Sequence, residues 1–338
     1  MAEGDDPRHH RQLEPGCSAL FRVRFERGTE YGGLYVSGYT YADYLGAKKT
    51  VDDRALNKDV FESLRRELAQ KEKKPLILEI GAGLGTMVAR LIEWRLIDRA
   101  DYTLLDIDAE LLGSSRRWLS RWVESRGMTA EATPDTLRIR GPGDLDWTVR
   151  FVQAEVRAFL DAQTTMLRAD LLVANAFLDL VDVPATLPSL FKLAAERGLY
   201  WFSINFDGDT IFEPGHPNDE AFMRVYHESM DERVRYGRPA GDSKTGRHLF
   251  RHLAAARARV LSAGASDWIV FAEGGKYHAE EAHFLHHMVH VVDEELKQHA
   301  QVDRSELAAW VRLRHDQIDR GELVYVAHQI DFCGRVKD

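Results

Sequence analysis

Cysteine is nearly absent from this chain of 338 residues: there are two, Cys17 and Cys333, at opposite ends. A pair so far apart makes neither a metal clip nor a disulfide framework, and both are expected as thiols. No apolar run approaches the roughly 18–20 residues of a membrane span. The opening MAEGDDPRHHRQLEPG lacks the basic-then-apolar layout of a signal peptide, so a cytoplasmic protein with no membrane partner is expected. Positive charge is also short, 45 Lys and Arg against 54 Asp and Glu, a net −9. Such a chain repels a phosphate backbone on average, so no nucleic-acid partner is expected. Against these shortages stand 44% hydrophobic and 10% aromatic residues. That is enough to bury a core, and it excludes a disordered chain.

No repeat period and no low-complexity segment appear along the chain. Residues 1–16 are polar and read as a disordered tail. Residues 17–72 read as an N-terminal cover, rich in aromatics (Tyr31, Tyr35, Tyr39, Tyr41, Tyr44) and closed by an amphipathic helix over 53–71. Leu76–Ile80 is a short apolar run of the kind that forms a strand buried on both faces. Helical spacing follows at Thr86–Ile97, a second strand at Tyr102–Leu105, and a helix that Asp108 can cap. Residues 126–147 read as loop. Val149–Val152, Leu171–Ala174 and Leu199–Phe206 give a third, fourth and fifth strand. Strands separated by helix-sized segments predict an α/β fold with a doubly wound, mostly parallel sheet. Residues 207–247 read as a substrate-side insertion, and 248–338 as the rest of the core. Within that last part the spacing predicts a helix over His248–Leu261, a sixth strand at Trp268–Phe271 and a helical insertion at about 279–320. A seventh strand, Leu323–Phe332, would put Val324, Val326, His328, Ile330 and Phe332 on one face.

The sharpest local signal is Glu79-Ile80-Gly81-Ala82-Gly83-Leu84-Gly85-Thr86, between a predicted strand and a predicted helix. Glycines allow a tight turn and a close ligand approach, and this is the position where doubly wound folds bind nucleotides. A dinucleotide fingerprint needs glycine at the sixth position from Gly81, and Thr86 stands there. The spacing is G-x-G-x-G, with an acid two residues earlier. A ligand that carries an ammonium group rather than a pyrophosphate would use that acid.

These residues resemble motif I of the class I S-adenosylmethionine-dependent methyltransferases. The resemblance implies a seven-stranded Rossmann-like methyltransferase sheet, with its cofactor-binding part at 73–206 and its last two strands in 248–338, S-adenosyl-L-methionine as cofactor and S-adenosyl-L-homocysteine as product. It implies that Glu79, Gly81, Ala82, Gly83 and Gly85 form the cofactor loop. It also implies that Asp106, with Ile107 beside it, receives the ribose hydroxyls, a task for which a carboxylate has the acceptors. Glu155 and Val156 take the position that meets the adenine. Asn175 takes the polar position where cofactor and acceptor meet.

Methyl transfer from a sulfonium needs alignment, exclusion of water and, for a hydroxyl or amine acceptor, a base. Asn175, Asp179 and Asp207 are the catalytic candidates, and Tyr39, Asn205 and Arg247 the substrate-binding ones. Each has a plainer role open to it: Asp179 as a helix-start acid, Asp207-Gly208 as a turn, Arg247 within a capping segment, and the tyrosines as packing. Of the 14 histidines, His216, His227 and His248 lie in or beside the insertion, where any could be a base. His328 reads as a hydrogen-bonded core residue. His283, His287 and His290 share a helix face, which reads as solvated or as an interface, compatible with a homodimer, rather than as a metal site. The expected function is methylation of an O or N atom of a small-molecule acceptor. Aminopropyl transfer, a nicotinamide-dependent oxidoreduction and a non-catalytic binding protein are the alternatives on a similar core.

Overall fold

A computed structural model of the chain describes residues 40–71, 73–162, 167–235 and 237–336. The expected tail, Cys17, Tyr31, Tyr35 and Tyr39 lie outside the described residues. In chain order come the helices α1 (Tyr41–Ala55) and α2 (Lys58–Leu68), then β1 (Leu76–Ile80), α3 (Thr86–Glu93), β2 (Arg99–Asp106) and α4 (Ala109–Ser125). Next are β3 (Thr129–Ala132), β4 (Thr136–Arg140), β5 (Asp146–Gln153), α5 (Val156–Ala162), β6 (Ala169–Asn175), a 3-10 turn (Leu178–Leu180), α6 (Val183–Phe191) and β7 (Ala194–Glu213). The chain continues with α7 (Asp219–Asp231), β8 (Val234–Arg235), β9 (Arg238–Pro239), α8 (Thr245–Ala255), β10 (Arg259–Ala265) and β11 (Trp268–Val270). It ends with α9 (Glu281–Leu296), α10 (Arg304–Asp319) and β12 (Val324–Arg335).

The sheet order is β10-β12-β7-β6-β1-β2-β5-β4-β3, with β11 beside β12. Pairing is parallel from β7 through β6, β1 and β2 to β5, and β12 runs antiparallel to both its neighbours β7 and β10. The seven strands from β10 to β5 are therefore the expected doubly wound, Rossmann-like sheet, six pointing one way and β12 reversed. Alternation along β1 sends Ile77 into one core and Leu78 and Ile80 into the other. The first core lies under α1–α4, α7, α9 and α10, and the second under α5, α6 and α8. The strand order turns outward in both directions from β1, which opens a crevice at the carboxyl ends of β1 and β6.

Several expectations are corrected. The helix expected over 53–71 is two helices, because Asn57 stops one and caps the next: its Oδ1 accepts the Asp59 and Val60 amides. The segment 126–147, expected as loop, holds the β3–β4 hairpin at the sheet edge. Its first strand is largely exposed and has no apolar run to announce it. The helix expected to reach Leu261 ends at Ala255, and the sixth strand of the fold is β10, not Trp268–Phe271. As an edge strand ending Ala-Gly-Ala, β10 shows little of the apolar pattern of a central strand. Strand β7 does not end at Phe206 but pairs with β12 as far as Glu213, so the segment expected as an insertion from 207 leaves the sheet later. On β12 the more buried face is the other one. Tyr325, Ala327, Gln329 and Asp331 are buried, because the α7–α9–α10 layer covers that side and Tyr325 packs on Phe212 and Phe284.

One of those buried residues holds a strained wall. Ile204 in β7 has φ +56, a conformation costly for a β-branched residue. Its amide donates to Asp331 Oδ1 at 2.7 Å, and Oδ2 of the same carboxylate accepts the Asn57 amide at 2.9 Å. Asp331 thus pins β7 and the start of α2 from β12. Asp331→Ala leaves two buried N–H groups unpaired and is expected to cost about 2–4 kcal/mol in urea unfolding. A loss within experimental error of zero would remove Asp331 from this role.

Candidate functional site

A cavity of about 740 Å³ sits in the crevice at the carboxyl ends of β1, β2 and β6. Helix α1 closes one side with Tyr41, Tyr44, Leu45 and Lys48. Tyr226 and Met230 of α7 and the β8–β9 segment close another.

Ten of the expected residues meet here: Glu79, Gly81, Ala82, Gly83, Asp106, Ile107, Glu155, Val156, Asn175 and Asp179 all line the cavity. Gly81 has φ +63, and a Cβ on it would fall 2.0 Å from the Phe177 ring, so no larger residue fits. Gly83 has φ +55 and donates its amide to Asp106 Oδ2 at 2.8 Å. The other oxygen, Oδ1, accepts the Asp108 amide at 3.0 Å. Asp106 therefore ties the glycine loop to the end of β2, and each oxygen keeps acceptor capacity for a ligand. Burial raises its carboxyl above the ordinary value. Asp108 caps α4 as expected. Glu79 is 2% exposed, its Oε2 accepts the Tyr102 hydroxyl at 2.9 Å, and burial pushes its pKa up to about 8. Glu155 spends one oxygen on the Ala158 amide, capping α5, while still facing the cavity. Asn175 Oδ1 accepts from Ser203 Oγ at 2.8 Å, and the next residue, Ala176, is held at φ +50.

Four expected residues lie away from the cavity. Gly85 opens α3 at φ +77, and a Cβ there would strike Ser115 Oγ at 2.8 Å, so this glycine serves helix packing. Asn205 is buried and donates to the Phe202 and Ile330 carbonyls. Asp207, 3% exposed, accepts the Arg247 amide at 2.7 Å and Arg247 Nε at 2.9 Å. The pair locks β7 to the start of α8, which occupies both a catalytic and a substrate-binding candidate. Tyr39 lies outside the described residues.

The histidines divide similarly. His328 stands between Asp267, 2.8 Å from Nδ1, and Asp207, 3.5 Å from Nε2, as a structural residue. His216 Nδ1 accepts the Asn218 amide, and His248 pairs with Asp242. His227 lies within 3.1 Å of the cavity-lining Thr210 hydroxyl, and burial lowers its pKa. None of the three lines the cavity. On α9, His286 and His287 are buried rather than solvated, and His287 stacks on Tyr44 at 3.8 Å. Helix α9 is packed between α1, α7 and α10, so its histidines face the protein itself. Among the described residues, the side chains close enough to share a metal ion are His290, Asp293 and Glu294.

Asp179 stands out among the carboxylates. Its Oδ1 is buried with no hydrogen-bond partner, and burial pushes its pKa up to about 6, against the pull of Arg233 and Lys48. Sequence reasoning missed the network beside it. Lys48 Nζ contacts both Asp52 oxygens, at 2.7 and 2.6 Å, over the Trp268 ring. Asp52 also accepts from Arg90 and from Trp268 Nε1. The only signal was the i, i+4 spacing of Lys48 and Asp52, hidden because the helix was expected to begin after them. Gln329 was missed because the opposite face of its strand carried the apolar residues.

No family model matches the chain, and no curated protein matches it by sequence. Among solved structures it is similar to a Bacillus halodurans protein assigned as a methyltransferase, with 12% identity, TM-score 0.46 and coverage of 83% of this chain and 100% of that one. It is also similar to a geranyl diphosphate C-methyltransferase of Streptomyces coelicolor, solved with S-adenosyl-L-homocysteine. There the identity is 11%, the TM-score 0.42, and the coverage 89% and 86%. A cyclopropane synthase of Mycobacterium tuberculosis gives 11%, 0.40, and 89% and 100%. At such scores these likenesses bear on no individual residue, and the chemistry of this chain rests on its own site.

The raised pKa of Glu79 has a stability consequence. Its contribution is full below the ordinary carboxyl value and is lost as pH rises through about 8. Wild-type thermal stability is expected to fall between pH 6.5 and 8.5, and Glu79→Gln to flatten that slope and melt higher than wild type at the alkaline end. Equal slopes by calorimetry would mean that Glu79 is already ionised in the folded protein.

Proposed function

We propose that this protein is an S-adenosylmethionine-dependent methyltransferase acting on an O or N atom of a small-molecule acceptor. The observation that carries the reading is the Asp106 clamp. A carboxylate at the end of β2 holds the amide of a G-x-G-x-G loop and still faces the cavity, with the buried acid Glu79 beside it. The site fits the cofactor. Positive-φ glycines leave a cradle without side chains, Asp106 has acceptors left for two ribose hydroxyls, and Glu155 with Val156 stands where an adenine edge would lie. Glu79 is placed to face an ammonium group. When bound, the cofactor supplies an electrophilic methyl group.

The chain's own residues supply the rest. Asn175 and Phe177 line the cavity. Asp179, with its orphaned oxygen, takes the acceptor's proton. A base with pKa of about 6 is ready at neutral pH and still able to receive a proton. Helix α1, α7 and the β8–β9 segment exclude water from a site of small-molecule size, and the net charge of −9 supports an acceptor other than nucleic acid.

Calorimetric titration with S-adenosylmethionine, S-adenosylhomocysteine, decarboxylated S-adenosylmethionine and NAD tests the cofactor. Micromolar binding of the first two is expected, lost in Asp106→Ala. A preference for NAD or for the decarboxylated form would replace the reading by oxidoreduction or aminopropyl transfer. Once an acceptor is in hand, Asp179→Asn should lower turnover by about 10²–10⁴-fold with cofactor affinity unchanged. Wild-type turnover should fall as pH drops through about 6. A profile flat across that range would exclude Asp179 as the base.

A further inference from the structure

The acceptor half of the cavity contains polar groups with no partner in the protein, and their chemistry narrows the acceptor. Gln329 on β12 is 2% exposed, lines the cavity, and has no hydrogen-bond partner at Oε1. Asp179 Oδ1 is buried and equally unpartnered. Both atoms are acceptors, and an unpaired buried acceptor is costly enough that a ligand with matching donors gains by filling it. Tyr226 and Tyr325 line the same cavity. Burial raises the pKa of both, so they remain neutral. The remaining walls are flat or soft: Tyr44, Phe206, Trp268, Met230 and Met288.

Resting on the methyltransferase reading, we propose that the acceptor is an uncharged aromatic hydroxyl compound bearing a second hydrogen-bond donor. One hydroxyl is held by Asp179 and the second donor by Gln329, with the ring between aromatic and thioether walls. An anionic acceptor is disfavoured. Of the cations that line the cavity, Lys48 is already held by Asp52 at 2.6 Å, Arg157 is exposed and paired with Asp161, and Arg238 is exposed, while Asp179 repels negative charge. An ammonium is disfavoured as well. Lys48 and Arg233 both lie near enough to Asp179 to favour its charged form. The same two cations repel an incoming one. As the hydroxyl proton passes to Asp179, the acceptor oxygen bonds to the methyl carbon. The carbon–sulfur bond breaks with its electron pair left on sulfur. The products are an aryl methyl ether, the thioether and protonated Asp179, which returns its proton to solvent.

The test is binding to the full chain saturated with S-adenosylhomocysteine, read by calorimetry, with four probes on one scaffold. These are a vicinal naphthalenediol, naphthol, naphthylmethylamine and naphthoate. The diol is expected to bind tightest, and Gln329→Leu to weaken it about tenfold, to the level of naphthol. S-adenosylhomocysteine affinity and melting temperature should not change. Tyr226→Phe should weaken the diol in the same direction, which covers the case of a misfolded Gln329 variant. Tighter binding of the amine or the carboxylate overturns the proposal. So does equal binding of diol and naphthol, absence of diol binding, or a diol affinity unaffected by Gln329→Leu. Failure of wild type to bind S-adenosylhomocysteine at all overturns the methyltransferase reading instead.

Discussion

A glycine loop has no side chains with which to hold its own shape, and here the Asp106 carboxylate holds it. One oxygen fixes the Gly83 amide and the other the Asp108 amide, so a single group orders the turn after β1 and the turn after β2. The two turns border the cavity where the strand order reverses. Asp108, positioned by that bond, caps α4. The Phe177 ring can lie against the loop only because Gly81 has no Cβ. The cavity floor therefore depends on a charged group that also faces the ligand space, and burial already raises its pKa.

The second feature of the site is the amount of ionisable chemistry taken out of water. Lys48, Asp52 and Arg90 are 5%, 2% and 0% exposed and satisfy one another. Such pairs add little net stability, but losing one partner strands the other. Their effect is to tie α1 to α3 and so to close one side of the cavity. Glu79 and Asp179 differ in having no cationic side chain in direct contact. Their pKa values, about 8 and about 6, are pushed up by burial. Both carboxyls line the same cavity.

The strand–helix alternation, the glycine loop and the acids at the ends of β2 and β5 were legible because each is local. An apolar run, a glycine spacing or a capping acid shows itself within a few residues. The short exposed strands of the β3–β4 hairpin and the edge strand β10 were not legible, since little of their surface is buried and periodicity reports burial. Asn205 and Asp207 were read as site residues from their place at the end of a strand, and Arg247 from its place before a helix. The strand runs on to Glu213, and its pairing with β12 turns Asp207 toward Arg247 and away from the cavity.

The order of elements along the chain, the glycine loop and the acid that holds it follow from short local patterns, because backbone geometry and capping act over one or two turns. Which face of β12 is buried follows from packing between segments far apart in the chain. The same holds for the meeting of Lys48 with Asp179, and for Gln329 looking into the cavity from more than a hundred residues beyond the loop. The side of β12 that carries Tyr325 and Asp331 is covered by segments distant in the chain, α9 at Tyr325 and the start of α2 at Asp331, and no local pattern encodes that packing. That packing decides which polar groups of β12 face the cavity.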